Sequence, residues 1–244
     1  MKCLFLAAGY ATRLYPLTEN FPKPLLEVGG KTILDHLIAD IDRTGLVDEY
    51  LVVSNAKFAP IFEKWARKGI RVISDGTWTN ETRLGAVRDI QLGIETAAVK
   101  EDLLILAGDN LLSFSLAEFI AYARGKGTSC LMRYYEADEA RLHKSGVAEI
   151  GPDGRVLSME EKPTHPKGHW CCPPFYYLTA SDVPKVAEGI AAGCGTDAPG
   201  SYIAWLCTQT PVHAMEMPGR RYDIGNLQSY EQVQKDYRGI KVSD

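Results

Sequence analysis

Residues 2–9 read KCLFLAAG, and residues 22–25 read PKPL. A short apolar run that ends in small residues and glycine has the composition of a buried strand entering a tight turn. The loop is formed by Leu6, Ala7, Ala8 and Gly9, and two cations, Arg13 and Lys23, follow it closely. Small residues between a strand and a helix let backbone N–H groups approach phosphate oxygens, and nearby cations add charge to the backbone dipoles. Taken alone, the loop serves equally well as a turn that packs the first helix on the sheet. It is not the G-x-G-x-x-G dinucleotide pattern, and no Gly-Lys-Ser/Thr follows that would make it a P-loop.

Outward from that loop, apolar runs alternate with helical patterns. KCLFLAAG precedes TILDHLIADIDRTG, EYLVVSN precedes FAPIFEKWARKG, IRVISDG precedes GAVRDIQLGIETAA, and DLLILAGD precedes SLAEFIAYARGKG. Repeated strand and helix units imply an α/β fold with a mostly parallel central sheet flanked by helices. After Thr128 the pattern changes to strands, SCLMRYYEA, GVAEIGPDGRVLSMEEKP and PPFYYLTA, with a Pro-Asp-Gly hairpin turn at 152–154. A last helix is predicted at SYEQVQKDYRG. We read 1–244 as one domain, with 1–128 a nucleotide-binding part and 129–244 a mixed-sheet, acceptor-binding part. In open sheets of this kind ligands sit beyond the carboxyl ends of the strands, where LAAG and LAGD both fall.

Composition narrows the function. The 244 residues are 45% hydrophobic with a formal net charge of -4, which argues against a nucleic-acid partner, since phosphate-backbone binding needs a basic face. Any anion must be bound locally. No stretch has the length of a membrane span, and the first apolar run is too short for a secretion signal, so we expect a cytoplasmic protein with no membrane partner. Six cysteines without C-x-x-C spacing are read as free thiols, and the adjacent Cys171 and Cys172 receive no role.

Two further stretches bear carboxylates. LILAGDN at 104–110 ends an apolar strand in Gly108 and Asp109, and YDIGN at 222–226 carries Asp223. Two carboxylates sharing one magnesium ion suit nucleotide chemistry, because that ion takes few protein ligands and completes its shell with phosphate and water. The alternatives are that Asp109 caps the next helix and that Asp223 is a helix N-terminal charge.

With these residues in view, LAAGYATRLYPLTENFPKPLLEVGGKTILDHLI resembles the signature of the sugar-phosphate nucleotidyltransferases, the group that includes glucose-1-phosphate thymidylyl- and uridylyltransferases. LAGDN, GVAEIGPDGRVLSMEEKP and YDIGNLQSYE resemble its later motifs in the same order, so the likeness spans nearly the whole chain. The resemblance implies a Rossmann-like nucleotidyltransferase fold and a magnesium-dependent reaction of an NTP with a sugar 1-phosphate, giving an NDP-sugar and pyrophosphate. It implies that Leu6, Ala7, Ala8, Gly9 and Gly108 line the nucleotide, that Arg13 holds the triphosphate, and that Lys23 sits at the reacting phosphates. Asp109 and Asp223 would bind the metal. Asn80 and Gly85 fall near base-contacting positions. Gly146, Glu161 and Lys162 match acceptor positions, Glu161 accepting from sugar hydroxyls and Lys162 pairing with the phosphate.

The reaction asks for these residue types on its own account. Attack of one phosphate on another brings two anions together, so fixed cations and a metal relieve the barrier, and the ionised attacker needs no general base. The five histidines are accordingly left without a role, and His165 and His169, flanking a Pro/Gly-rich loop, are expected to be exposed. An EEK surface charge run is the plain alternative for Glu161 and Lys162, made less attractive by Pro163 and a buried-looking VLSM.

Departures from the family pattern bear on specificity. Ala11 stands where many relatives have glycine, and an alanine there is expected to need negative φ. SDGTWTNETRLGAVRD lacks the usual small-residue run, so the base remains open among thymine, uracil and cytosine, with dTTP or UTP favoured. WCCPPFYYL replaces an Asn-Thr-Gly step, which keeps a cytidylyltransferase acting on phosphocholine or a similar phosphorylated alcohol as an alternative. A nucleotide-sugar-binding regulatory protein without catalysis is another. The chain ends soon after the last motif, so a single activity is expected, and relatives are often dimers or tetramers, which makes a homo-oligomer an expectation here.

Overall fold

The computed structural model describes residues 1–240. The opening stretch forms strand β1 (Lys2–Leu6), whose central residues are buried, and the chain then passes through one-turn helices at Thr12–Leu14 and Lys23–Leu25. A two-stranded ribbon, β2 (Glu27–Val28) with β3 (Lys31–Thr32), leads into α1 (Ile33–Asp42). Thr32 caps that helix by accepting the Asp35 N–H at 3.0 Å, and Ile33, Leu34, Leu37, Ile38 and Ile41 give it one buried stripe. β4 (Glu49–Ser54), α2 (Ala59–Trp65), β5 (Ile70–Ser74), a turn of helix at Asn80–Thr82 and α3 (Ala86–Thr96) follow. Next come β6 (Leu103–Ala107), β7 (Asn110–Leu112) and α4 (Ala117–Lys126).

The later chain contributes β8 (Ser129–Tyr135), α5 (Glu139–Leu142), β9 (Gly146–Ile150), β10 (Val156–Glu161), β11 (Trp170–Cys171) and β12 (Phe175–Leu178). The Pro-Asp-Gly turn joins β9 to β10 as the sequence predicts. Gly154 takes φ 85°, a backbone that favours glycine, and its N–H reaches the Gly151 carbonyl at 3.0 Å. Helices α6 (Lys185–Ala191) and α7 (Gly200–Gln209), then β13 (Val212–Glu216), β14 (Arg221–Asp223) and α8 (Leu227–Asp236) complete the described chain.

These elements group into two compact units. The first takes residues 1–83, 107–118 and those from Pro218 onward. Its strands β1, β4 and β5 are parallel, with Leu4 opposite Leu51 and Val52 opposite Val72, as repeated strand–helix units require. β7 and β14 pair antiparallel, Asn110 opposite Asp223. A core of Leu14, Leu26, Val28, Ile33, Leu111, Ile224, Val233 and Tyr237 lies in this unit.

The second unit takes Leu84–Leu106 and Phe119–Met217. Its strands run in the order β10-β9-β11-β8-β12-β6, antiparallel throughout, and β13 adds a parallel partner to β8. Phe175, Tyr176, Tyr177 and Tyr202 are almost wholly buried in it. All six cysteines are free thiols, in line with the sequence reading. Among the described residues no helix is long and apolar enough to cross a membrane.

Candidate active site

In the first unit the loop at the end of β1 is tied down by backbone and by one buried amide. The Ala7 N–H reaches the Val53 carbonyl at 2.9 Å, and the Asn55 side chain donates to the Ala8 carbonyl at 3.0 Å. The same Asn55 accepts the Phe58 N–H at 2.9 Å and starts α2. Asn55 is fully buried, and the sequence reading missed it. Gly9 is exposed, takes no left-handed φ, and has no atom within 4 Å of where a Cβ would stand. Neither backbone conformation nor protein packing therefore demands glycine there. Gly108 differs: its N–H bonds Leu6 O at 3.1 Å, and a Cβ would lie 3.2 Å from both Leu6 O and Leu34 Cδ2, so close packing accounts for it.

Beyond the loop the chain corrects one expectation. Ala11 has φ 48° and ψ 41°, the left-handed region that costs an L-residue roughly 1–2 kcal/mol. It is held there because its carbonyl accepts the Leu14 N–H at 2.9 Å and the Thr18 hydroxyl at 2.8 Å. Arg13 is exposed on this one-turn helix and forms no ion pair among the described residues.

Lys23 is only 7% exposed, and its ammonium donates to Asp109 Oδ2 at 2.7 Å. The other carboxylate oxygen accepts from the Asn110 side-chain amide at 2.8 Å. Asn110 in turn accepts from Arg221 at 2.7 Å. Burial pushes the Asp109 carboxyl up, but the Lys23 and Arg221 charges and the Lys23 hydrogen bond outweigh it and hold the group below its ordinary value. Asp109 is followed by β7, so it caps no helix. Asp223 is exposed, stands opposite Asn110 in the β7/β14 ladder, and precedes an α8 whose cap is Asn226. Asn110 and Arg221 were not read as site residues. Asn110 was legible as the neighbour of Asp109 in LAGDN, whereas only the ladder reveals Arg221. Asn80 is exposed at the start of the one-turn helix Asn80–Thr82, with the Arg83 guanidinium 3.4 Å from its Oδ1.

In the second unit Gly85 has φ 96°, and a Cβ there would come 2.5 Å from the Thr196 carbonyl. That approach lets Ala86 and Val87 donate their N–H groups to the Asp197 and Thr196 carbonyls at 3.1 and 3.0 Å, satisfying donors that an α3 N-terminus leaves free. Gly146 lies directly opposite Glu161 in the β9/β10 ladder. Glu161 is half-buried. Burial raises its carboxyl above the ordinary value, Lys162 opposes that rise and Asp197 adds to it. Lys162 is exposed, its φ is 50°, and its N–H bonds Ser145 O at 3.0 Å. The EEK run is thus not uniformly solvated. VLSM, though, is buried only at Val156 and Met159; Leu157 is 63% exposed, as alternation in a strand dictates. His165 is exposed, and His169 is partly covered by stacking on Tyr135 with its Nδ1 2.9 Å from the Glu136 carbonyl.

Comparison with known proteins adds three findings. Residues 2–239 match the family model described as nucleotidyl transferase. The chain is 35% identical over 169 residues to the bifunctional protein GlmU of Methanococcus vannielii, covering 67% of this chain and 36% of that one. It is 26% identical over 245 residues to the glucose-1-phosphate adenylyltransferase of Fervidobacterium nodosum, covering 93% and 59%. The chain thus spans between about a third and three-fifths of these relatives' lengths. A solved structure of UDP-glucose pyrophosphorylase complexed with UDP-glucose superposes with TM-score 0.80 at 18% identity, over 97% of each chain, which establishes the α/β fold.

Proposed function

Because the chain belongs to the nucleotidyl transferase family, we propose that it joins an NTP to a sugar 1-phosphate, giving an NDP-sugar and pyrophosphate, with dTTP or UTP the favoured nucleotide. The observation that carries this reading is the chain of contacts Lys23–Asp109–Asn110–Arg221 with Asp223 across the ladder. It sets one cation and one carboxylate on the segments that follow β1 and β6 in sequence, Lys23 and Asp109, and a second pair, Arg221 and Asp223, on β14, the residue types that transfer between phosphates requires. Names among the relatives include thymidylyl and uridylyl transfer, which supports the reaction class; adenylyl transfer also occurs among them.

In this reading a non-bridging oxygen of the sugar phosphate attacks the α-phosphorus, and the bond to the bridging oxygen breaks, pyrophosphate leaving with the electron pair. The loop Leu6–Gly9 takes the nucleotide, and the open space at Gly9 allows its backbone to lie close to a phosphate. Exposed Arg13 meets the triphosphate with a planar fork. Lys23 is held at the reacting phosphates by Asp109. Glu161 accepts from sugar hydroxyls, and Lys162 pairs with the acceptor phosphate.

The donor set fits magnesium, an ion bound through one or two carboxylates plus substrate phosphates. Asp109 and Asp223 would hold it, and when bound it neutralises charge developing on the phosphate oxygens. The test is pyrophosphate release in a matrix of dTTP, UTP, CTP, GTP and ATP against glucose, mannose and N-acetylated sugar 1-phosphates and phosphocholine, with and without magnesium. Turnover in a sugar 1-phosphate cell is expected. Turnover with phosphocholine alone, or in no cell, would overturn the proposal.

A further inference from the structure

Two glycines of the second unit occupy places where glycine is costly and where the backbone has no use for it. Gly200 opens α7, and Gly146 lies within β9; neither has the positive φ that glycine alone adopts easily. A glycine in a helix forgoes alanine's higher helix propensity, and a glycine inside a strand weakens it through entropy and lost packing. Both meet the same atom. A Cβ at Gly200 would stand 1.9 Å from Glu161 Oε2, 3.1 Å from Glu161 Cδ and 3.1 Å from Met159 Cε. A Cβ at Gly146 would stand 2.9 Å from Glu161 Oε2 and 2.5 Å from Met159 Cε. Two other helical glycines of the unit do not meet Glu161: Gly125, in α4, has nothing within 4 Å of its Cβ position, and Gly189, in α6, would meet Trp205 and Tyr202 at 2.9 and 3.1 Å.

We infer that Gly200 is a positioning residue whose missing side chain, together with that of Gly146, fixes where the Glu161 carboxylate lies. Gly146 clears one side of the carboxylate from the facing strand, and Gly200 clears the other from the first turn of α7. The slot also sets the carboxylate beside a ten-residue helix's N-terminus, whose partial positive charge suits an anion. A residue with a Cβ at 200 leaves the fold standing, because the atoms it meets are the far ends of flexible Glu161 and Met159, and these swing away. The carboxylate is then in the wrong place. This inference rests on the proposed role of Glu161 in holding the hydroxyls of the acceptor.

The experiment compares Gly200→Ala, Glu161→Asp, the double variant and, as a control for a glycine-to-alanine change within a helix, Gly125→Ala. Steady-state kinetics use the NTP and sugar 1-phosphate that the matrix selects. For Gly200→Ala we expect a melting temperature near wild type, an acceptor KM raised about tenfold or more, and an NTP KM within about twofold. Glu161→Asp withdraws the carboxylate by one methylene, so adding Gly200→Ala to it should raise the acceptor KM by no more than about twofold further. Gly125→Ala should leave both constants unchanged. An unchanged acceptor KM in Gly200→Ala, or a full tenfold penalty retained on the Glu161→Asp background, overturns the inference. A crystal structure of Gly200→Ala reads the same contact without any assay: a displaced Glu161 carboxylate sustains it, and an undisplaced one overturns it, even if the matrix shows no turnover and the proposed function itself falls.

Discussion

The two units hold their candidate site residues by opposite means. In the first, polar side chains hold one another: Lys23, Asp109, Asn110 and Arg221 form a chain in which each partner is satisfied by the next. In the second, the Glu161 carboxylate lies in space that the missing side chains of Gly146 and Gly200 leave open. A network of charges loses both stability and function when one member goes, because its partner is left buried without a counter-charge. A slot loses function while the fold stands. The contrast teaches that a turnover assay sees both units, whereas a melting assay sees only the first.

The sharpest test of that contrast is a pair of substitutions. Asp109→Asn and Asp223→Asn should each cut turnover by about 100-fold or more if both carboxylates serve a metal and the phosphates it binds. Only Asp109→Asn should also cost on the order of 2 kcal/mol of stability, since Lys23 is 7% exposed and loses its counter-charge. Asp223 is exposed and should melt as wild type. Equal stability losses in chemical denaturation would break the comparison.

Arg13→Lys comes next. Arg13 forms no ion pair among the described residues, so its fold contribution is small and its charge is available to a ligand. Lysine keeps the charge but loses the fork that spans two oxygens. We expect a loss of about 2 kcal/mol in kcat/KM with an unchanged melting temperature; full activity would leave the arginine of this loop without a purpose.

A third measurement sharpens the account of the second unit. Burial raises the Glu161 carboxyl above its ordinary 4.5, so the folded state holds its proton more tightly than the unfolded chain does. Stability from this group is present below 4.5 and is lost as pH rises through the higher folded value. Glu161→Gln should therefore flatten the stability profile over that window and gain on wild type toward neutral pH. Parallel urea midpoints of the two proteins across the acid range would contradict it.

The smallest expected effect is at Ala11. Glycine there relieves a left-handed strain of roughly 1–2 kcal/mol and loses about 0.4–1 kcal/mol through the freer unfolded chain. Ala11→Gly should thus stabilise by about 0.5 kcal/mol, read as a higher denaturant midpoint.

Much of the fold was legible because the alternation from β1 to α4 is regular: each apolar run is short, and each helix between them has a polar face. The sequence signals failed where that contrast fades. GSYIAWLCTQ, which is α7, is dominated by apolar and aromatic residues and has no clear polar face, and β14 is three residues long. The charged site residues stand out by type, and Asp109 and Asp223 sit in quotable motifs. Asn55 and Arg221 act through contacts with segments distant in sequence, so no local pattern marks them. Gly200 follows Ala198 and Pro199, a string that reads as an ordinary turn; its meaning depends on an atom of Glu161, 39 positions earlier. Ala11 reverses a local expectation because two hydrogen bonds to its own carbonyl outweigh an intrinsic preference.

The β7/β14 ladder and the core beneath it have a consequence for how the protein comes into being. Leu14, Val28, Ile33 and Leu111 are covered in part by Ile224, Val233 and Tyr237, and Asp223 faces Asn110 across more than a hundred intervening residues. Contacts so far apart in the chain close late, because a long loop must be ordered before they repay the entropy. On the ribosome, residues 1–118 emerge with that apolar surface still open, and the second unit is made in full before its cover arrives. Asp223 therefore meets Asn110 only once β14 has been made, so a nascent chain stalled before residue 218 has the loop after β1 but no β7/β14 ladder, and it exposes a sticky face that invites chaperone capture.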